Sequence, residues 1–580
     1  MSAETESSIE PPSIVKGLPL SAEEGLGALT IPGYLKEVTS RFGPREAVVM
    51  RTPRGRLHWS YEALWQHSME VARALVAAGA GKDSRVGVLM TNRPEFIAAT
   101  FGIGLAGGVT VTLSTFCTAA ELAHLLEASS ISILLFEREV LKRDFAQMLI
   151  ELEPSIEGAE PGRLESRRFP FLRRLVELDA SAALRASCAI ESWEDFLARG
   201  ISTPPALVEA RAASVKPSDV GALFFSSGTT SLPKGILHAQ RAVAIQWWRW
   251  PHAMSALEDV RCWTANGFFW SGNFSMVIGC GLSTGGTVVL QAIFQPEEAL
   301  ELMQAERITL PFAWPHQWAK LQGARNWSEV DLGSLRYVDP DVPLGRHPTV
   351  RTQWYEPTAY GATETLTIVA TMPIRSPSER VSHLQGPPLP GNTIKIVDPL
   401  TGARRPRGER GEIAVKGPTL MLGYIGVPAD ETLDAEGFFR TGDSGYLDES
   451  GRLFWEGRLT DIIKTGGANV SPREIDAVLM AYPGIKLART VGVPHESLGE
   501  MVVACVVPHA GAVLEEAAIR DYLKERLASY KVPKRVLSFR EEELSMTGSD
   551  KVKAAALIER AAQKLRSAAG LAPGAPPSRG

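Results

Sequence analysis

The chain has 580 residues and a formal net charge of -5, with 44% hydrophobic and 22% charged residues. This length exceeds what one hydrophobic core usually supports, so we expect two or more domains. The slightly acidic balance gives no sign of the basic surface that nucleic-acid-binding proteins present. Five scattered cysteines without a C-x-x-C pair argue against a disulfide framework or a zinc site and are typical of a reducing cytosol.

The N-terminal 30 residues are rich in Ser, Glu and Pro, and this composition predicts disorder over residues 1–30. No basic stretch followed by an apolar one marks a signal peptide there. The longest apolar run, Ala98–Leu113, contains four glycines and is too short to span a bilayer. We therefore expect a cytoplasmic protein without stable membrane insertion.

The segments that follow alternate short apolar strands with amphipathic helices. Strands are predicted at Val86–Met90, Ile131–Phe136 and Thr287–Gln291, and Ala119–Leu126 has the apolar spacing of a helix. Such alternation is typical of layered α/β folds. The sequence therefore predicts a large N-terminal, multi-layer α/β domain with mixed sheets over residues 31–457.

A loop of hydroxyls, glycines and one lysine follows the apolar stretch Ala222–Phe225. This loop cannot lie in the core, because its donors would be unsatisfied in an apolar interior. Converging main-chain N–H groups and the charge of Lys234 favour phosphate binding, although the P-loop pattern G-x-x-x-x-G-K-[ST] does not occur. A solvated turn is the alternative. The candidate phosphate-binding residues are Ser226, Ser227, Gly228, Thr229, Thr230 and Lys234.

Six further motifs follow in a fixed order: Tyr360–Glu364, Gly408–Ile413, Phe439–Asp443, Gly457–Lys464, Gly466–Glu474 and Thr547–Val552. With the hydroxyl-rich loop, their order and spacing resemble those of the adenylate-forming superfamily, which includes acyl-CoA synthetases, luciferases and peptide-synthetase adenylation domains. The resemblance extends over residues 30–560. It implies an AMP-forming acid–thiol ligase that uses ATP, Mg²⁺ and CoA.

The resemblance also implies roles for single residues around ATP. The β- and γ-phosphates would bind the hydroxyl-rich loop, and Thr363 would bind the α-phosphate. Glu364 would hold Mg²⁺, a hard cation that takes carboxylate, phosphate and water oxygens. Tyr360 would lie against the adenine, with Gly361 beside it in the same motif. Glu364 as a helix cap is the structural alternative.

The remaining roles fall on residues nearer the C-terminus. By the same resemblance, Asp443 and Arg458 would bind the ribose hydroxyls, and Lys551 would reach the α-phosphate and the incoming carboxylate. The structural alternatives are a turn residue for Asp443 and an ordinary exposed lysine for Lys551. His238, just past the loop, has the stronger claim to a structural role.

A small α+β domain is predicted at the C-terminal end, over residues 462–566, followed by a disordered tail at 567–580. Ile475, Val478, Leu479 and Tyr482 have helical spacing, and Met501–Val507 is typical of a strand. In the resemblance this domain is a mobile lid, which pivots at residues 458–461, with Asp461 as the hinge. The rotation would remove Lys551 and bring in Gly466 and Gly467, whose lack of side chains lets the CoA thiol arm pass.

The segment Gly267–Phe274 resembles one that lines the acyl site in the family, which assigns Phe269, Trp270 and Asn273 to the acyl pocket. Aromatic residues nearby indicate an apolar substrate, either a fatty acid or an aromatic or alicyclic carboxylate. Ordinary core packing is the alternative for each aromatic residue. The expected partners are thus a small carboxylic acid and CoA, without nucleic acid, and the sequence leaves a homodimer open.

Three departures from the family pattern leave other functions open. Ser231 and Asp550 stand where glycine is usual, and Asp339–Pro343 occupies the place of a small-residue adenine loop. Acyl transfer to a carrier protein and adenylate-driven β-lactone formation are the alternatives within the enzyme class. A catalytically degenerate nucleotide- or acyl-binding protein is the alternative outside it.

Overall fold

The computed structural model describes residues 12–178, 188–225, 233–381, 383–459, 463–465, 468–495, 498–527, 531–543 and 554–568. The chain divides into two compact units. The large unit comprises residues 15–394 and 415–439, and the small unit comprises 1–14, 395–414 and 440–580. The predicted pivot at 458–461 concerns a rotation, which this division does not test, and it stays a prediction.

The described helices have these bounds: α1 (Ile31–Phe42), α2 (Tyr61–Ala77), α3 (Pro94–Leu105), α4 (Ala119–Ser129), α5 (Phe145–Leu152), α6 (Trp193–Arg199), α7 (Pro205–Ser214), α8 (Gln240–Ala253), α9 (Ser271–Leu282), α10 (Pro296–Ala305), α11 (Pro315–Gln322), α12 (Ala429–Thr432), α13 (Pro472–Met480), α14 (Glu516–Lys524) and α15 (Ala554–Ala568). The helix predicted from Ala119 begins there because Thr118 and Glu121 form a capping box. None of the helices in the described ranges has the length and apolar character that a membrane crossing requires.

The described strands have these bounds: β1 (Ile14–Lys16), β2 (Glu46–Thr52), β3 (Gly55–Ser60), β4 (Arg85–Leu89), β5 (Val109–Thr112), β6 (Ile133–Glu137), β7 (Glu139–Val140), β8 (Arg143–Asp144), β9 (Arg174–Leu178), β10 (Ile190–Ser192), β11 (Val220–Phe225), β12 (Gly235–Ala239), β13 (Arg261–Thr264), β14 (Thr287–Leu290), β15 (Leu310–Phe312), β16 (Tyr355–Ala362), β17 (Thr367–Ile374), β18 (Leu384–Gly386), β19 (Thr393–Val397), β20 (Gly411–Lys416), β21 (Gly423–Tyr424), β22 (Phe439–Leu447), β23 (Leu453–Arg458), β24 (Ile463–Thr465), β25 (Ala468–Val470), β26 (Ile485–His495), β27 (Gly499–Pro508) and β28 (Arg535–Ser538).

The large unit contains two mixed sheets and two two-stranded ribbons, one of which pairs β7 with β8. The eight-stranded sheet has the order β10-β9-β6-β4-β5-β11-β12-β21, with parallel pairs up to β11 and antiparallel pairs from β11 to β21. The five-stranded sheet has the order β15-β13-β14-β2-β3, and β16 pairs with β17. The predicted strands fall on β4, β6 and β14. The predicted α/β class is therefore confirmed.

The small unit contains a sheet of β25, β24, β27 and β26, with β28 parallel to β27. Along β27, Val502, Ala504 and Val506 pack into one apolar cluster, and Val503 and Cys505 pack into another. The first cluster includes residues of α13 and α14, and the second includes residues of α15. Because both faces are covered, the strand is apolar throughout. The predicted α+β class is confirmed.

Order extends further toward the N-terminus than composition predicted. The carboxylate of Glu23 accepts from the Arg249 Nε and Nη2 atoms, at 3.0 and 2.6 Å, and Arg249 is fully buried. The Trp248 indole donates to the carbonyl of Ala28. The prediction of disorder is wrong for residues 12–30, because a buried guanidinium in α8 requires a carboxylate from this segment. The predicted tail lies outside the described residues from 569 on.

A buried carboxylate in the small unit yields a prediction about pH. Asp476 of α13 is buried, and burial raises its pKa to about 6 from 3.8, although Arg489 lies 3.6 Å away. Since the folded state holds the proton more tightly, stability is greatest below the unfolded pKa and falls as the pH rises through the window from 4 to 6.

Asp476→Asn keeps an acceptor for the main-chain N–H of Thr490, which donates to Asp476 Oδ1 at 2.6 Å. We expect the variant to gain stability over wild type as the pH rises, by about 3 kcal/mol between pH 4 and 7. Chemical unfolding of both proteins across this range measures the difference. A constant difference at all pH values would contradict the shifted pKa.

Candidate active site

Lys234, which directly precedes β12, and Tyr424 of the edge strand β21 lie on one face of the eight-stranded sheet. Tyr424 is paired with Ile236, so Lys234, two residues before Ile236, is its diagonal neighbour. The Lys234 ammonium lies 5.3 Å from the centre of the Tyr424 ring. The Nε2 atom of His124 donates to the carbonyl of Pro233, the residue before Lys234, at 2.9 Å. The lysine that the sequence assigned to phosphate is thus held near the end of its loop.

Glu364 lies in a one-turn 3₁₀ helix, Thr363–Thr365, directly after β16. The Tyr424 hydroxyl donates to Glu364 Oε1 at 2.8 Å, and the main-chain N–H of Met421 donates to the Glu364 carbonyl at 2.7 Å. The predicted metal ligand and the predicted phosphate-binding lysine therefore share one tyrosine. A helix-capping role for Glu364 finds no support in these contacts.

The chain after Glu364 is strained and firmly held. Leu366 and Thr367 have φ angles of 45° and 85°, in a region that favours glycine. The Gln246 carboxamide donates to the Thr365 and Ile368 carbonyls, and the Trp250 indole donates to Thr367 Oγ1. Strained backbone persists only where the surroundings over-determine it. Buried side chains of α8 therefore fix the conformation of the Glu364 turn.

Gly361 is required by close packing between β16 and β17. A Cβ atom at this position would lie 1.6 Å from the Thr367 carbonyl oxygen. Because this oxygen belongs to the main chain, a side chain at position 361 would force the two strands apart. Its neighbour Tyr360 is 3% exposed. Contact of Tyr360 and Gly361 with ATP stays a prediction.

His238 lies on the same face of β12, four residues after Lys234, beside the main chain of Thr363. Burial lowers the pKa of its imidazole to about 3, against a smaller raising contribution from Thr363. The ring also lies edge-on to Phe224, with 6.0 Å between ring centres. A neutral ring at physiological pH fits the structural role that the sequence favoured.

The small unit brings together the two residues assigned to the ribose. Asp443 and Arg458 are cross-strand partners on β22 and β23, and Arg458 Nε lies 3.1 Å from Asp443 Oδ1. Arg458 Nη1 also donates to the Thr441 carbonyl, and Asp443 is 4% exposed. Asp443 lies within β22, so it is not the turn residue that was the alternative, and its contact with the ribose stays a prediction.

The residues assigned to the acyl pocket flank the start of α9. The Phe269 and Trp270 rings are 5.3 Å apart, and the Phe116 ring packs edge-on against Phe269 at 5.7 Å. Phe116 follows β5 and is 47% exposed, whereas Phe269 is 7% exposed. Asn273 accepts from the Thr264 hydroxyl at 3.0 Å, so its carboxamide oxygen already has a protein partner. The acyl-pocket role of all three predicted residues stays a prediction.

The unusual aspartates of the predicted adenine loop are engaged within the protein. Asp339 is 6% exposed and accepts from the main-chain N–H groups of Asp341 and Glu356, each at 2.9 Å. The Arg380 guanidinium forms ion pairs with both Asp339 and Asp341 and lies over the Tyr355 ring. Arg380 therefore offsets part of the negative charge of these two aspartates, and Asp339 is engaged within the protein rather than open to a nucleotide.

Mg²⁺ is the metal that the resemblance implies, and the donor chemistry fits it. Among the residues that the structure describes, no three metal-binding side chains cluster as a protein-only site would require. Mg²⁺ commonly uses one or two carboxylates with nucleotide phosphates and waters, and the half-buried Glu364 supplies one such carboxylate.

A polar cavity of about 680 Å³ lies elsewhere, at the amino ends of β13 and β14. It shares no lining residue with the Lys234–Tyr424–Glu364 group. The buried carboxylate of Glu306 accepts there from Arg51, Arg56 and Arg261. Arginine and acidic side chains make up much of the cavity lining, which suits a polar ligand better than an apolar acyl group.

Several predicted residues lie outside the described ranges: Ser226, Ser227, Gly228, Thr229, Thr230, Ser231, Asp461, Gly466, Gly467, Asp550 and Lys551. Sequence reasoning missed Tyr424 and Phe116. A glycine followed by tyrosine in a loop is too common to indicate a site, and an isolated phenylalanine carries no signal. Only their spatial neighbours identify them.

Comparison with known proteins finds two matching family models: AMP-binding enzyme over residues 35–425 and AMP-binding enzyme C-terminal domain over residues 474–551. A 3-[(3aS,4S,7aS)-7a-methyl-1,5-dioxo-octahydro-1H-inden-4-yl]propanoyl:CoA ligase from Rhodococcus jostii (strain RHA1) is 29% identical, over 87% of this chain and 94% of the relative. A feruloyl-CoA synthase from an Amycolatopsis species is 30% identical, over 85% and 92%. The anthranilate CoA ligase AuaEII with anthranoyl-AMP superposes with a TM-score of 0.75 at 21% identity, over 94% and 98%.

Proposed function

The chain belongs to the AMP-binding enzyme family, and from that premise we propose that it is an ATP-dependent acyl-CoA ligase for an apolar, aromatic or alicyclic carboxylic acid. The named activities of its relatives, which join acids to CoA, support an AMP-forming acid–thiol ligase. The Lys234–Tyr424–Glu364 group carries the proposal, because it unites a phosphate-binding cation with a carboxylate suited to a nucleotide-bound cation.

The proposed reaction has two steps. In the first, a carboxylate oxygen bonds to the α-phosphorus of ATP, and the bond from that phosphorus to pyrophosphate breaks. In the second, the CoA thiol loses its proton and its sulfur bonds to the acyl carbon. The bond from that carbon to the bridging oxygen breaks, and AMP leaves with this oxygen. Both steps need tight positioning, because the reacting groups carry like charges.

The chain's residues divide this work. Lys234 offsets the charge of the departing phosphates, and Thr363 and Lys551 bind near the α-phosphate. Glu364 would hold Mg²⁺, which when bound offsets phosphate charge as a Lewis acid. Asp443 would accept from the ribose hydroxyls, with Arg458 holding its carboxylate in place. Gly466 and Gly467 would leave room for the CoA thiol arm.

The apolar substrate class is supported by the rings of Phe116, Phe269 and Trp270. Phe116 is 47% exposed although it is a large apolar side chain. Aromatic residues around a concave site commonly accept apolar ligands. The bicyclic and aromatic acids in the names of the relatives are of the same chemical kind.

The test is a panel of aromatic, alicyclic, straight-chain and dicarboxylic acids, assayed by ATP–pyrophosphate exchange and then for the CoA thioester. We expect exchange with aromatic or alicyclic acids and a thioester when CoA is added. Exchange without a thioester, followed by acylation of a carrier protein, would contradict the choice of acceptor. If the protein binds ATP but shows no pyrophosphate exchange with any acid, the proposal that it is a ligase is contradicted.

Trp270→Ala should enlarge the acyl pocket and change the order of preferred acids toward bulkier ones. One methylene in such a pocket is worth about 1–3 kcal/mol, so specificity ratios should change by about tenfold or more. The matched control is Trp327→Ala, another partly buried tryptophan, which packs on His347. If Trp270→Ala, like the control, lowers stability without reordering the acids, then Trp270 is a core residue.

A further inference from the structure

Tyr424 is the residue that contacts both charged members of the candidate site. Its hydroxyl donates to Glu364 Oε1 at 2.8 Å, and its ring face lies 5.3 Å from the Lys234 ammonium. Tyr424 itself is partly buried, whereas Lys234 is exposed. The Tyr424 ring, which is the less mobile of the two, thus lies against the flexible Lys234 side chain. Lysine loses more rotamer entropy than tyrosine when its side chain becomes ordered.

The main chain around Tyr424 is fixed to both partners. The N–H groups of Leu422 and Ile425 donate to the carbonyls of Leu237 and Gly235, at 2.8 and 2.9 Å, which ties β21 to the strand that follows Lys234. The Met421 N–H ties the same segment to the Glu364 carbonyl at 2.7 Å. Three separate stretches of chain therefore meet at one tyrosine.

The chemistry of each contact indicates what it does. A hydroxyl that donates to one carboxylate oxygen restricts the rotation of that carboxylate and leaves the other oxygen available to a ligand. A cation over an aromatic face is attracted to it without losing its hydrogen-bond donors. Both contacts orient a charged group and leave its charge in place. A direct ion pair between Lys234 and Glu364 would instead neutralise both charges.

We propose that Tyr424 is a positioning residue, which aligns the Glu364 carboxylate and the Lys234 ammonium for binding the metal–nucleotide complex. The proposal rests on the proposed function for its ligand, ATP with Mg²⁺. It assigns no part in the bond-making steps to Tyr424. Its two halves predict different effects for the hydroxyl and for the ring.

The first measurement is ATP binding by calorimetry, without any acid, in the presence and absence of Mg²⁺. Tyr424→Phe removes the hydroxyl and keeps the ring, so binding in Mg²⁺ should weaken by about threefold to tenfold, the range of one lost hydrogen bond. Without Mg²⁺ the variant should bind like wild type. Tyr424→Leu also removes the ring, and its binding should weaken further in both conditions, by about twofold to fivefold.

A double-mutant cycle with Glu364→Gln separates positioning from general damage. If the hydroxyl acts through Glu364, then Tyr424→Phe should change ATP affinity by less than about twofold in the Glu364→Gln background. Tyr61→Phe is the matched control, since it removes a buried tyrosine hydroxyl that donates to the Gly286 carbonyl. The control should lose stability and keep wild-type ATP affinity.

Three outcomes would overturn the proposal. Tyr424→Phe could bind Mg²⁺-ATP like wild type, or lose the same affinity with and without Glu364, or bind more tightly because the bond had held the carboxylate back. Absence of pyrophosphate exchange in wild type would instead overturn the proposed function. The two failures can be told apart, because the ATP-binding cycle needs neither an acid nor turnover.

Discussion

Replacing Lys551 with alanine is expected to slow acyl-adenylate formation by about 10²–10³, the effect of losing one preorganised charged donor. Thioester formation from supplied acyl-adenylate should change far less, because the resemblance implies a role for this lysine in the first reaction only. Lys551 lies outside the described residues, so the expectation rests on its place in the motif Thr547–Val552.

The two half-reactions are measured separately, by pyrophosphate exchange and by release of the CoA thioester from synthetic acyl-adenylate. Lys553→Ala is the matched control, since it removes the same charge two residues further along the chain. Equal losses in both half-reactions, or equal losses in the two variants, would contradict the role of Lys551.

Replacing Glu364 with glutamine is expected to weaken Mg²⁺-dependent ATP binding by about 10–100-fold, as loss of a metal-site group commonly does. Glutamine keeps the size and can still accept from Tyr424, so the fold of the turn should survive. The remaining oxygen is uncharged and is a poorer ligand for a hard cation.

Calorimetry with and without Mg²⁺ measures this effect without turnover, and the Mg²⁺ dependence of pyrophosphate exchange gives a second value. The matched control is Glu298→Gln, an exposed glutamate in the first turn of α10. If Glu364→Gln binds ATP in Mg²⁺ like wild type, Glu364 has a structural role only. Weakened binding in both conditions would show that it contacts the nucleotide itself.

The sequence by itself predicted the features that depend on local pattern. Apolar runs and helical spacing placed β4, β6, β14 and α4 within a few residues, because hydrophobic periodicity reflects one buried face. Ordered motifs also predicted the family, which the matching family models confirm. Local composition failed at residues 12–30, where polar residues indicated disorder.

Tertiary structure decided the features that depend on pairs far apart in the chain. Glu23 orders the N-terminal segment through Arg249, 226 residues away, and Arg380 neutralises an aspartate 41 residues before it. Tyr424 reaches Glu364 across 60 residues. None of these residues has a local pattern that marks it, because ion pairs and hydrogen bonds depend on the distance between atoms in space. Only the packing of β12, β21 and the Glu364 turn brings the tyrosine to both charges.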